Sequence, residues 1–242
     1  MIKVAVSITV KDDYLFINKF IDYYKKIGFD KIIIFDDGSS NFFLSKISQD
    51  KCVKIISKYK SLDLTGVDWI EKIRNQYHNS FDVRKRFNTY FACKFLKEKG
   101  YDWLFSCDVD EFIGSFEDKY KFDLKKNLKD IKVPQVLFLA RDIVFDPNTK
   151  LFENTRFRSL RQREYWLGKF YQIVFSKLKS PLIDKIYKLI FNSIFGKKIT
   201  FISIQNINYI IPINPSYLGH KSLINLSFFD KNNFNVHYWV QP

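Results

Sequence analysis

Two apolar runs, residues 3–10 (K-V-A-V-S-I-T-V) and 31–35 (K-I-I-I-F), bracket a segment whose apolar residues recur at 17, 20, 21, 24 and 27. Near-continuous runs of this kind read as strands covered on both faces. The spacing between them is that of one face of a helix, which Asp12 or Asp13 can cap and Gly28 can end. A helix between two strands is a crossover, so the strands pair in parallel. The chain is thereby constrained to an α/β fold with a mostly parallel, Rossmann-like central sheet flanked by helices.

The alternation continues. A short helix is expected over 41–47 and a third strand over 53–57. Residues 58–80 read as an irregular loop covering a site. Apolar residues at 83, 87, 90, 91 and 95 predict a helix over 82–99, closed by Gly100. That helix leads into Y-D-W-L-F-S-C-D-V-D-E-F-I, residues 101–113, with a strand over 102–107. The stretch from 114 to 133 is polar and basic. Strands are expected again at 135–140 and 200–213, and residues 182–195 have helical spacing with lysines alongside. The weakest boundary lies near 141, dividing one domain into a half at 1–140 and a smaller half at 141–242.

A chain of 242 residues, 46% hydrophobic and 18% aromatic, has the length and composition to bury a core and is not a disordered one. Its formal charge of +14 suits nucleic acid, an anionic membrane surface or a phosphorylated substrate, without choosing among them. The three cysteines, Cys52, Cys93 and Cys107, form no C-x-x-C pair, which points to a reducing compartment. The N-terminal run lacks the small-residue cleavage site of a signal peptide, and no run of 18 apolar residues occurs, so a cytoplasmic location is expected. The apolar and lysine faces of 170–200 suit an anionic membrane and a core helix equally well.

Three acidic clusters stand at predicted strand ends: Asp12-Asp13, Asp36-Asp37 and Asp108-Val109-Asp110. Open α/β sheets bind ligands outside the carboxyl ends of their strands, and carboxylates there must be paired, hydrated or bound to a cation. D-x-D is frequent by chance, and D-D-G-S-S is a turn in its own right; it is the three together that point to one crevice. If the chain stays extended through 108–110, Asp108 and Asp110 leave on one face and Glu111 points elsewhere. Two hard oxygen ligands suit Mg2+ or Mn2+, which carries a nucleotide diphosphate. Lys11, Arg84, Lys85 and Arg86 are candidates to neutralise that diphosphate. Residues 84–86 sit at a helix start, a poor place for cations unless an anion is there to meet them. Glu111, Asp142 and Asp146 are the candidate proton acceptors.

Residues 5–40, from A-V-S-I-T-V-K-D-D to I-I-I-F-D-D-G-S-S, resemble the opening of GT-A glycosyltransferases, specifically the family 92-like and family 2-like bacterial enzymes. D-W-L-F-S-C-D-V-D-E-F-I (102–113) is similar to their D-W-I-x-x-x-D-x-D-E-F, and V-H-Y-W (236–239) resembles their late N-H-Y motif. The likeness covers 2–40 and 80–114 and is thin over 115–215. It implies a GT-A sheet with a smaller acceptor-side C-terminal region. It also implies that Asp36 or Asp37 contacts the uridine of a UDP-sugar, beside the strand end at Thr9 and Val10 with Lys11 and Asp12. Arg84 joins this set facing the diphosphate. Asp108 and Asp110 are implied to hold Mn2+ and the diphosphate, with Glu111 orienting them or approaching the acceptor. A late histidine, His237 in preference to His220, completes the metal site. Position 12 departs from the family in being Asp where Asn-Glu is common after Lys, and Val240-Gln241-Pro242 stands where relatives continue with a K-S segment and a helix.

The activity implied is inverting sugar transfer from a nucleotide-sugar donor to a glycan or lipid-linked hydroxyl, in polysaccharide or lipopolysaccharide synthesis. It would take place at the inner face of the membrane, with peripheral attachment. Two alternatives stand beside it. A nucleotidyltransferase on a similar fold wants a Gly-rich phosphate loop after the first strand, where this chain reads T-V-K-D-D-Y. A non-enzymatic nucleic-acid-binding protein would use the charge and aromatics, but no binding motif is present and acidic strand ends repel phosphate without a metal. No nucleic-acid partner is therefore expected.

Overall fold

The computed structural model describes residues 1–47, 50–57, 68–114, 123–144, 198–211 and 222–229; within these, the side chains of 68, 69, 72, 137–144 and 198–211 are not described. Strands are β1 (Val4–Val10), β2 (Lys31–Asp36), β3 (Val53–Ser57), β4 (Trp103–Ser106), β5 (Glu111–Gly114), β6 (Gln135–Val144), β7 (Lys198–Ile211) and β8 (Ser222–Asn225). Helices are α1 (Ile17–Lys26), α2 (Asn41–Lys46), α3 (Asp68–Ile73), α4 (Phe81–Glu98) and α5 (Leu124–Lys129). The sheet order is β3-β2-β1-β4-β8-β6-β7-β5. β3, β2, β1 and β4 are parallel, and β8 is antiparallel to both β4 and β6. This is the expected α/β architecture, a mostly parallel Rossmann-like sheet flanked by helices.

The chain clusters into two compact units, one of Met1–Leu139 with Ile202–Pro242 and one of Ala140–Phe201. The second contributes described residues only at its ends, 140–144 and 198–201. Among the described residues, strands β1 to β5 and β8 and helices α1 to α5 belong to the first unit.

Every residue of β1 is buried, as a strand covered on both faces must be. Leu104 and Phe105, adjacent on β4, point to opposite faces and so mark the two cores. Phe105 meets the α1 side, where Tyr24 packs against the rings of Phe20, Phe29, Phe105 and Phe112. Leu104 joins Ala5, Ile33 and Phe35 beneath α4, with Val83, Phe87, Tyr90, Cys93 and Leu96.

Tyr23 and Tyr24 also hold β5 from α1. The buried Tyr24 hydroxyl donates to the Glu111 carbonyl at 2.9 Å and accepts from the Ile113 N–H at 3.3 Å, while the Tyr23 hydroxyl donates to the Ile113 carbonyl at 2.8 Å. Burial first, then the neighbouring Cys107, pushes the Tyr24 hydroxyl well above its ordinary range, so it stays a neutral donor. Tyr24→Phe strips a donor–acceptor pair from buried backbone groups. It is expected to lower stability by about 1–3 kcal/mol, read as a drop in thermal midpoint of about 2–4 °C per kcal/mol. An unchanged midpoint would show that β5 is held by its other contacts alone.

Several expected boundaries move. α1 starts at Ile17, and Asp13 accepts the Phe16 N–H at 3.0 Å in the turn ahead of the helix, without capping the helix itself. The loop expected over 58–80 contains α3 and a 3-10 turn at Arg74–Gln76, because Ile70 and Ile73 bury one face against the α4 core; residues 58–67 lie outside the described residues. The polar stretch after 114 contains α5, made by buried Leu124 and Leu128 one turn apart and by Asp123, which accepts the Lys126 N–H at 2.9 Å. β6 continues four residues past the predicted end at 140. The arginine-dense segment 150–169 and the helical spacing of 182–195 lie outside the described residues.

Candidate functional site

α4 begins with Ser80 accepting the Val83 N–H at 3.3 Å, and its first turns lie against the carboxyl ends of the parallel strands. Arg84, Lys85, Asn88 and Thr89, at i, i+1, i+4 and i+5, share one side of that helix. Arg84 donates from Nε and Nη2 to the two carboxylate oxygens of Asp37, just past β2, at 2.7 and 2.8 Å. Lys85 Nζ lies 2.5 Å from Asp108 Oδ1, just past β4. Asn88 Nδ2 donates to Thr9 Oγ1 on β1 at 2.7 Å, and the hydroxyls of Thr89 and Ser106 on β4 are 2.9 Å apart. One helix side thus reaches the ends of three neighbouring strands, β2, β1 and β4.

β4 stops at Ser106, one residue short of its predicted end, and the chain then closes into a turn. The Glu111 N–H donates to the Asp108 carbonyl at 3.1 Å, and the Asp108 N–H donates to Glu111 Oε2 at 2.9 Å. The extended chain expected through 108–110 is therefore corrected, and so is the expectation that Glu111 points elsewhere. Beyond the last ladder pair the Asp108 N–H needs an acceptor, and the Glu111 carboxylate, 3% exposed, turns back to supply it. Asp108 has a side chain 41% exposed, and Asp110 is half-buried. Behind them burial, then the charges of Glu111 and Asp108, pushes the Cys107 thiol well above its usual range, so it is a neutral core side chain.

The ends of β1 and β2 are tied to one another. Val10 is paired with Asp36, and the Asp37 N–H donates to the Val10 carbonyl at 2.8 Å. Asp12, at φ 49°, accepts from the N–H and hydroxyl of Ser40 at 2.9 and 3.0 Å, and its own N–H donates to Ser39 Oγ at 2.9 Å. Buried Asp36 accepts the Ser39 N–H at 2.8 Å, closing a turn in which Gly38 has φ 89°. Lys11 is exposed beside them, and the exposed rings of Tyr14 and Phe42 lie 6.0 Å apart on the same rim. Thr9 and Val10 are buried.

The expected nucleotide-binding set, Thr9, Val10, Lys11, Asp12, Asp36, Asp37, Arg84 and Asp108, is thus gathered at one sheet edge, most of it within its own hydrogen-bond network. Arg86 is half-buried, and burial lowers its pKa. Burial, reinforced by the charge of Asp37, pushes the Tyr77 hydroxyl up to about 12 beside Arg84. His78 is exposed. Asp142 lies on β6 in the second unit with its side chain not described, and Asp146, His220 and His237 lie outside the described residues. Among the described residues no group of three or more His, Cys, Asp or Glu side chains is placed to hold a metal ion. Sequence reasoning missed Asn88, Thr89 and Ser106. The signal for the first two was there: two polar residues between apolar 87 and 90, one turn after Arg84-Lys85. Among the described residues no helix is long and apolar enough to cross a membrane.

No family model matches this chain, and no curated protein matches it. Among solved structures, a 4-diphosphocytidyl-2C-methyl-D-erythritol synthase from Anaerococcus prevotii is similar over 86% of this chain and 90% of its own, at 11% identity and a TM-score of 0.35. A likeness that distant carries no argument about chemistry.

Proposed function

We propose that this chain is a metal-dependent glycosyltransferase that moves a sugar, with inversion, from a UDP-sugar to a hydroxyl of a glycan or lipid-linked acceptor. The reading is supported above all by the turn at 108–111, in which Asp108 lies beyond the end of a central parallel strand beside Lys85 of α4 and Asp110 follows two residues later. Ligands of open α/β sheets bind in that position. Two aspartates fit Mn2+ or Mg2+, which is commonly held by one or two carboxylates together with substrate phosphates and water. His237 is proposed as the protein ligand that completes the set. When bound, the ion supplies charge stabilisation to the departing diphosphate.

The chain's own residues do the rest of the positioning. Glu111 fixes the turn and with it the aim of Asp108, a positioning role in place of direct proton transfer. Lys11, Lys85 and Arg84 bring positive charge to the diphosphate side, and the Val10–Asp36 edge receives the uridine. Peripheral attachment to an anionic membrane, where a lipid-linked acceptor would be met, is part of the proposal and is compatible with the formal charge of +14.

A thermal melting scan tests the reading. UDP with Mn2+ at about 100 times its Kd is expected to stabilise the chain by about 2.7 kcal/mol, while a single-stranded oligonucleotide leaves the midpoint unchanged. Stabilisation by the oligonucleotide, and none by UDP with Mn2+, would replace this reading with nucleic-acid binding.

A further inference from the structure

We propose that Lys85 is the resident counter-ion of Asp108, and that its ammonium leaves that carboxylate for the diphosphate when a nucleoside diphosphate arrives with its divalent ion. The inference rests on the donor-binding reading and adds to it a built-in device that makes metal and nucleotide bind together.

The two cation–carboxylate pairs of α4 differ in kind. Arg84 is held by a two-point fork to Asp37 and donates further from Nη1 to the carbonyls of Tyr77 and His78, at 3.0 and 3.3 Å. That is a fixed strut. Lys85 makes a single-point contact with one oxygen of Asp108, and among the described residues its ammonium has no second acceptor. Its Nζ stands 5.8 Å from the centre of the Phe81 ring, a weak cation–π distance. Its side chain is 11% exposed and that of Asp108 is 41% exposed, so the ammonium is tucked behind a carboxylate that faces solvent. A compact ammonium on a four-carbon stem is suited to changing partners, where a guanidinium fork is not.

The consequence is a charge exchange. A divalent ion and the Lys85 ammonium compete for the same carboxylate, and like charges that close repel. Bare metal therefore binds against Lys85. A nucleoside diphosphate removes the conflict, because its oxygens accept the ammonium and ligate the ion together. Each ligand then raises the affinity of the other by the same factor, as linkage requires.

Calorimetric titrations of the full chain decide the matter, using Mn2+ alone and UDP at saturating Mn2+, on wild type, Lys85→Met and Lys85→Arg. Melting curves establish that each variant is folded. Lys85→Met is expected to bind Mn2+ alone about tenfold more tightly and UDP with Mn2+ about tenfold more weakly, shifts of the size expected when one close charge pair is removed. Lys85→Arg keeps the charge and is expected to keep bare Mn2+ binding weak. Opposite signs for the two ligands are what a merely structural lysine does not give. Two shifts of the same sign in Lys85→Met, or none, would overturn the exchange while leaving donor binding in place. Failure of the wild type to bind UDP with Mn2+ would overturn the exchange and the donor reading together.

Discussion

Asp108→Asn is expected to abolish Mn2+-dependent UDP binding, by at least about 100-fold, since changing even an outer-shell partner of a metal ligand costs 10–100-fold. An amide oxygen is a weaker ligand for a hard dication than a carboxylate, and it adds no charge. The fold should survive. The turn is closed by the main-chain N–H of Asp108 and by the carboxylate of Glu111, neither of which the substitution touches. The side chain removed is 41% exposed; the Lys85 ammonium opposite is 11% exposed, but the amide oxygen can still accept from it, so the loss is expected to be about 1 kcal/mol. The thermal midpoint is therefore expected to stay within about 4 °C of wild type. Lys85 remains, so a weak, metal-independent attraction for UDP should persist. Undiminished Mn2+-dependent affinity would remove the ion from this turn and the sugar-transfer reading with it.

The parallel half of the fold was legible because its interior strands are buried on both faces. The runs at 3–10 and 31–35 are almost wholly buried interior strands and contain little except apolar residues, while 53–57, half-buried at the sheet's edge, was read from the alternation that precedes it. α5 was not legible, since two leucines among lysines give too weak a period to separate from a solvated loop. α3 was hidden for a similar reason, its buried face among the described side chains being Ile70 and Ile73. β8 was not anticipated: Ser222–Asn225 is a short run that pairs antiparallel with β4 although far from it in sequence, and periodicity has no means to indicate a partner at that distance.

The site was half legible, and α4 shows why. Its apolar residues at 83, 87, 90, 91 and 95 suggest a buried stripe, yet Phe91 and Phe95 are only partly buried while Asn88 and Thr89 are buried. Polar pairing with Thr9 and Ser106 outweighs the burial of two rings, because a buried hydroxyl without a partner is costly and a half-covered ring is not. The acidic strand ends could be read one by one from the sequence. What the sequence does not contain is that two cations one helical turn into α4 stand opposite two of them, Arg84 facing Asp37 and Lys85 facing Asp108.

Arg84→Met is the most destabilising of the substitutions considered. Asp37, with a side chain 9% exposed, loses both partners of a two-point charge-assisted contact, and the carbonyls of Tyr77 and His78 lose a donor. Removing one member of a fully buried pair costs about 3–5 kcal/mol; since Arg84 is 20% exposed and water reaches it, about 2–3 kcal/mol is expected here. In a chain of this size that lowers the thermal midpoint by about 4–12 °C. Adding Asp37→Asn removes the stranded charge and is expected to restore about 1–2 kcal/mol, the coupling that a double-mutant cycle measures for residues in contact. A midpoint for Arg84→Met within about 1 °C of wild type, or no recovery in the double variant, would show that the pair does not hold β2 to α4. The double variant also separates two roles that the single ones confound. If Arg84 and Asp37 only brace the loop, restored stability brings restored UDP affinity. If they meet the nucleotide, as their place at the ends of α4 and β2 suggests, the fold recovers and UDP binding does not.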